Sequence, residues 1–282
     1  ELSDEDAQEQ FYRNGDEVVT DFPPQGEDRT SALVDMQLPF PFVLYPYGTA
    51  SFLMEETLDY RYDPVQQRFD TLQENTAFEP DVYEVFYSEP SFSLTALRET
   101  DVEQLDGLPT EYDRYLQLPD ELPDRVGELA QEIAAGSDTV YAQAQAIERY
   151  FGTNGFEYSQ SDIAIPEGDE DYVDQFLFET QRGYCDNFST SMVVMLRSLD
   201  IPARWVKGFN EGEVIDTVDG YDVYEVTNNN AHSWVEAYMP GVGWMMFEPT
   251  IGFTGASSID FDLEIDTSEP EEEEMTDRPD PE

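Results

Sequence analysis

The stretch RGYCDNFSTSMVVMLRSL, Arg182 to Leu199, constrains the fold more than any other. Phe188, Met192, Met195 or Leu196, and Leu199 recur at helical spacing, and enough of the intervening residues are apolar that only a largely buried helix accommodates the run. A helix buried to that degree needs a second layer. The segments that follow supply it: ARWVKGF, YDVYEV, AHSWVEAY and GWMMFEPT carry the alternation and the β-branched and aromatic content of strands, with a Pro-Gly turn at 240–241 between the last two. Pro202 is expected to end the helix, and the stretch through Gly212 and Gly220 to be a polar excursion. These patterns predict an α+β core with helices packed on an antiparallel sheet.

Upstream, helical spacing begins near residue 120. Val126, Leu129 and Ile133 follow Pro123, with Gly136 to close that helix. Val140, Ala144, Ile147 and Phe151 mark a second helix starting after Ser137 or Asp138 and ending before Gly152; Val173, Phe176, Leu177 and Thr180 mark a third that stops at Gly183. Earlier still, SALVDMQL, PFVLYPYGTASFL, the alternating Leu58, Tyr60 and Tyr62, and VYEVFYS read as strands, while the first thirty residues are polar and read as loosely ordered. The expected organisation is a β-rich module over 1–110, an α+β domain over 111–256, and an acidic tail or linker over 257–282, whose SEPEEEEMTDRPDPE is too poor in apolar residues to fold.

Charge excludes some functions. Thirteen basic residues against 64 acidic ones give 13 − 64 = −51, and Lys207 is the single lysine. In dilute buffer such a charge opposes compaction, whereas at about 1 M salt the Debye length falls to about 3 Å and screens it. The composition reads as halophilic, with carboxylates in place of the lysines an ordinary acidic surface keeps. No basic face can neutralise phosphates, so nucleic acid is not an expected partner. No run has the length of a membrane span, and a chain opening at Glu1 reads as a soluble portion of a longer protein.

Cys185 and His232 are the only cysteine and the only histidine. Together they make a poor zinc set, and the acidic runs lack the glycine-punctuated spacing of a calcium loop, so no metal and no cofactor are expected. A cysteine at a helix N-terminus feels the positive end of the helix dipole, which favours thiolate, and the backbone N–H groups there can hold an oxyanion. His232 opens AHSWVEAY, where alternation puts His232, Trp234, Glu236 and Tyr238 on one face. Glu248, sixteen residues on and across the turn, is placed to orient the imidazole. The three make a triad by role. Gln181 and Tyr158 are candidates for a second oxyanion donor, against turn or packing roles. Trp234 and Trp244 are candidates to line an acyl groove, against core packing. Arg182 and Arg204 read as partners of carboxylates, and the sequon Asn187-Phe188-Ser189 lies inside the helix and reads as inert.

Gly183-Tyr184-Cys185 with its helix, IPARWVKGF, AHSWVEAY and GWMMFEPT together resemble the transglutaminase-like superfamily over roughly residues 112 to 252. YLQLPDELPDRVGELAQEI, QAIERYF and FEYS resemble the flank of its microbial membrane-anchored branch. LYPYGTASF and VYEVFYSEPSFSL more weakly resemble that branch's extracytoplasmic module. The resemblance implies a papain-like core whose cysteine attacks a glutamine side-chain amide of a protein or peptide. Ammonia leaves as a thioester forms, and the acyl group passes to an amine or to water. It implies Cys185 as nucleophile, His232 as base and then acid, Glu248 as the orienting carboxylate, and an extracytoplasmic domain joined to the membrane by segments outside this sequence. The chain departs from the family's FDPT motif at Phe247-Glu248-Pro249-Thr250: the extra methylene moves the carboxylate by more than about an ångström, and misplacement on that scale can cost about a hundredfold in rate. Glutamate does serve as the third member of other triads. A cysteine peptidase or amidase is the competing enzyme class, and a non-catalytic binding module the competing class of another kind.

Overall fold

The computed structural model describes residues 9–23, 28–168, 170–253 and the strand 260–262. Strands come first: β1 (Gln10–Arg13), β2 (Thr30–Asp35), β3 (Thr49–Leu53), β4 (Asp59–Asp63), β5 (Arg68–Gln73), β6 (Thr76–Ala77), β7 (Val82–Tyr87) and β8 (Ser91–Ser93). They form two antiparallel sheets, β1-β4-β5-β6 and β2-β7-β3, which share a buried cluster of Phe52, Leu58, Tyr60, Phe69, Tyr83 and Val85. The stretch PFVLYPYGTASFL gives a strand only from Thr49. Pro39, Pro41 and Pro46 withhold donors from the part before it. The expectation of loose order before residue 30 is corrected for the described residues: β1 pairs with β4 from Gln10↔Tyr62 to Arg13↔Asp59, and Val18 and Phe22 are buried.

Helices follow: α1 (Leu94–Arg98), α2 (Asp124–Ala134), α3 (Val140–Thr153) and, after the short strand β9 (Glu157–Tyr158), α4 (Tyr172–Gln175), which runs into a π-helical turn over Phe176–Thr180. Thr139 caps α3 by accepting from the Ala142 N–H at 3.1 Å, and Val140, Ala144, Ile147 and Phe151 are fully buried along it. Gly152 continues this helix instead of ending it, and the chain turns at Gly155, where φ is +81°. The π turn likewise ends before Gly183, at Gln181, whose left-handed φ of 49° breaks the hydrogen-bond ladder.

The core is completed by β10 (Arg182–Gly183), α5 (Cys185–Arg197), β11 (Ala203–Phe209), β12 (Glu213–Val218), β13 (Tyr221–Glu225), β14 (Ala231–Met239) and β15 (Gly243–Phe247). Asp200, at φ 59°, ends the α5 segment before Pro202 is reached. β14 is the middle strand of the antiparallel sheet β11-β14-β15 and lies against α5. Val235, Ala237 and Met239 join Phe188, Met192, Met195 and Leu196 in one buried core. YDVYEV forms β13 as expected, and the expected polar excursion before it contains β12, which pairs with β13 in a hairpin that leaves Val214, Ile215, Tyr221 and Tyr224 exposed. Acidic residues interleaved with these apolar ones mask the strand pattern. Of the expected acidic tail, only β16 (Asp260–Asp262) lies among the described residues. It is a strand parallel to β8, so this part of the tail is paired where an unfolded end is expected.

The face of β14 opposite α5 is covered from the N-terminal half. Trp234 Nε1 donates to the Tyr47 hydroxyl, which donates to Glu236 Oε1. Arg204 Nε donates to Glu236 Oε2, its Nη1 reaches Asp21 Oδ2 at 2.7 Å, and its guanidinium lies 4.0 Å from the Trp244 ring centroid. Arg204 is 8% exposed and Glu236 1%. Burial works against the Arg204 charge, but Glu236 and Asp21 more than offset it. Removing one member of such a pair strands the other charge. Arg204→Met is therefore expected to lower stability by about 3–5 kcal/mol in chemical denaturation, and Tyr47→Phe by about 1–3 kcal/mol.

Candidate active site

The start of α5 is fixed by contacts that begin one strand earlier. β10 pairs in parallel with β9, setting Gly183 opposite Tyr158. Asn187 Oδ1 then reaches back to accept from the Tyr184 N–H at 3.1 Å, and a Cβ at Gly183 would lie 2.4 Å from that oxygen. Only glycine allows so close an approach. Cys185 is thereby set as the first residue of a 13-residue helix, at its positive end. Asn187 is 3% exposed and engaged in this cap, which removes the sequon from the surface.

His232 is the second residue of β14, opposite Gly208 of β11, and Glu248 immediately follows β15. The β14–β15 pairing brings the two side chains together: His232 Nε2 lies 2.6 Å from Glu248 Oε2, with side-chain exposures of 6% and 4%. Glu248 Oε1 accepts from the Thr250 N–H at 2.8 Å, so both oxygens are engaged and the longer side chain is folded back. With Nε2 occupied, Nδ1 is the ring nitrogen left to serve Cys185, whose interaction with the ring shifts the pKa of both groups. Cys185, His232 and Glu248 thus come together in the order sulfur, imidazole, carboxylate.

Electrostatics follow from these contacts. Burial raises the Cys185 pKa, but interactions with His232 and with the side chain and backbone of Ser233 outweigh it and hold the thiol below its ordinary value. Burial lowers the His232 pKa, but bonds with Cys185 and Glu248 outweigh that and push it up to about 9. Both shifts favour a thiolate–imidazolium pair over a neutral thiol and imidazole.

The other expected site residues make further contacts of their own, and Tyr158 lies close enough to Cys185 and Glu248 for their charges to add to the burial that raises its pKa. Gln181 Nε2 donates to the Leu177 carbonyl at 3.4 Å, closing its own turn. The Tyr158 hydroxyl accepts from Gln160 Nε2 at 2.9 Å, and its ring packs 5.4 Å from Phe253. The Trp234 ring lies 6.3 Å from the His232 ring, but its N–H is committed to Tyr47. Trp244 is buried beneath Arg204. Arg204 pairs with carboxylates as expected; Arg182 instead donates to Ser159 Oγ at 3.2 Å.

Several contacts escape sequence reasoning. Phe253 stacks on the His232 ring at 4.3 Å and 16°. Ser189 Oγ donates to the Cys185 carbonyl at 2.7 Å, accepts from Trp205 Nε1 at 2.9 Å and lies 3.0 Å from Ser233 Oγ. The Glu248 N–H donates to Glu148 Oε1 at 2.9 Å. Only Glu148 leaves a trace in the sequence: it falls four residues after Ala144, on the apolar side of α3.

At pH 7, Cys185 is expected to react with iodoacetamide faster than a free thiol of pKa about 8.5, and His232→Ala to bring the rate back toward that of a free thiol. The His232 pKa is raised on folding. The stability its partners give is therefore complete below about pH 6.5 and is lost as pH rises through about 9, a fall that denaturation at stepped pH reads directly.

Residues 127–249 match the family model of the transglutaminase-like superfamily. The chain is 42% identical over 229 residues to the uncharacterised protein YebA of Bacillus subtilis, a match covering 80% of this chain and 31% of that protein. It is 33% identical over 155 residues to a protein-glutamine gamma-glutamyltransferase of Pseudomonas aeruginosa, covering 55% of this chain and 22% of that protein. The matches thus span less than a third of either relative. A crystal structure of the periplasmic domain of TgpA from Pseudomonas aeruginosa, bound to ethylmercury, superposes with a TM-score of 0.58 at 26% identity, covering 78% of this chain and 71% of that domain. Residues 127–249 thus resemble the core of the transglutaminase-like superfamily in sequence, and the fold resembles that of the TgpA periplasmic domain.

Proposed function

We propose that this chain is a cysteine-dependent acyltransferase acting on glutamine side-chain amides of proteins or peptides. The observation that carries the reading is the convergence of three groups: Cys185 stands at the positive end of α5, His232 Nε2 lies 2.6 Å from Glu248 Oε2, and the thiol and the ring are close enough to shift each other's pKa, the thiol downward and the imidazole upward. The Cys185 thiolate attacks the carboxamide carbon, and the first turn of α5 faces the developing oxyanion with its N–H dipoles. As the tetrahedral intermediate collapses, the C–N bond breaks and the His232 imidazolium gives its proton to the departing ammonia, leaving a thioester and a neutral imidazole. An incoming amine attacks the thioester while His232 takes its proton, and the sulfur leaves as thiolate. Glu248 acts throughout by holding Nε2 and stabilising the charged ring.

The relative named as a protein-glutamine gamma-glutamyltransferase supports the glutamine substrate. The TgpA domain, being periplasmic, supports an extracytoplasmic position; we infer attachment to the membrane through segments outside this sequence from the motif resemblance alone. Among the described residues no helix is long and apolar enough to cross a membrane. The charge of −51 supports a salt-rich working medium. Hydrolysis shares the same thioester, and the scarcity of lysine, if general in the host's proteins, favours water or small amines as acceptor.

Incubation at high salt with a glutamine peptide and a labelled primary amine is expected to give amine incorporation. Cys185→Ser should abolish it, and Glu248→Gln should lower kcat by about 10²–10⁴-fold. Ammonia release without incorporation makes the enzyme an amidase; neither product, with a Cys185 no more reactive than a free thiol, makes it a binding module.

A further inference from the structure

Glu248 is held at three points. Its Oε2 meets His232 Nε2 at 2.6 Å, its Oε1 accepts from Thr250 N–H at 2.8 Å, and its own N–H donates to Glu148 Oε1 at 2.9 Å. The third contact comes from α3, a hundred residues away in sequence, and it is the one that fixes the backbone from which the carboxylate hangs. A glutamate has one more rotatable bond than the aspartate of the family motif. Its carboxylate stays on a ring nitrogen only if its base is held still.

We propose that Glu148 is a positioning residue of the active site: by accepting the Glu248 N–H, it sets the depth from which the Glu248 carboxylate reaches His232. This rests on the proposed acyl transfer only for its kinetic consequence; the geometric claim concerns the imidazole alone.

The site of Glu148 is unusual for a carboxylate. It lies on the buried side of α3, flanked by Ala144, Ile147 and Phe151, which are fully buried. Burial raises its pKa, and the Glu248 charge adds to that against the Glu248 N–H and Arg149, leaving it at about 7. The charged or titratable groups that act on it are Glu248 beyond β15 and Arg149 and Tyr141 on its own helix. Near neutral pH this carboxyl is partly protonated, which limits repulsion between two glutamates sharing one peptide group.

Because His232 is the only histidine, its ring can be titrated by NMR with no ambiguity of assignment. Glu148→Gln keeps a carbonyl acceptor and removes the charge, whereas Glu148→Ala removes both. The expected result is that Glu148→Ala lowers the His232 pKa from about 9 by roughly one unit and kcat about ten- to a hundredfold, with KM within about twofold. Glu148→Gln should hold both close to the parent values and abolish a small inflection near pH 7 in the parent's ring titration. An unchanged His232 pKa in Glu148→Ala would overturn the proposal, as would a Gln variant as impaired as Ala or losses that only follow a fall in Tm. If the ring responds as expected but no variant, nor the parent, incorporates amine, the positioning role stands and the transferase assignment falls.

Discussion

The site depends on which nitrogen of one imidazole is occupied. Glu248 takes Nε2, which leaves Nδ1 to the sulfur and makes the ring a bridge between an acid and a thiol instead of a terminal base. Both neighbours favour a charged ring, and a charged ring favours a thiolate. The prepared nucleophile is thus a property of three groups together. The scaffold serves this single arrangement: β14 carries the ring, the turn after β15 carries the acid, and the tight start of α5, possible only with glycine at 183, carries the thiol.

The strand that bears His232 is braced on both faces. Toward α5 it presents Val235, Ala237 and Met239 to a dry core. On the other side Trp234 and Glu236 are tied through Tyr47, and Arg204 links Glu236 to Asp21. A buried ion pair seldom adds net stability over apolar packing of the same volume, but it tolerates few alternative arrangements. Here it specifies how the N-terminal sheets dock on the strand, two and four residues from the imidazole.

Much of this was legible in the residues, for a physical reason. Apolar periodicity is strong where an element is buried, so α2, α3, α5 and the strands of the central sheet stand out, and Glu148 can be placed on the apolar side of α3. Boundaries fared worse. α3 runs through Gly152, and left-handed turns at Gln181 and Asp200, neither a glycine, end segments expected to run on to Gly183 and Pro202. Of the β12–β13 hairpin only β13 stood out, through YDVYEV; β12 was hidden because its Val214, Ile215 and Val218 are exposed and leave no clear alternation to read. Phe253 on the imidazole and Tyr47 on Glu236 are contacts between distant segments, about which local pattern carries no information.

That hairpin departs from β11 at Phe209 and returns to β14 at Ala231, two residues that face each other in the register. Its base is laced by Asn210, whose N–H donates to the Asn230 carbonyl and whose side chain accepts from that of Asn230, both at 2.9 Å. A closed stem isolates what lies beyond it. The twenty or so residues past the stem can lengthen, shorten or change chemistry while Gly208 and His232 keep their pairing. Within this architecture, then, evolution has a place beside the reacting centre where novelty is cheap, and descendants of a common ancestor would be expected to differ there.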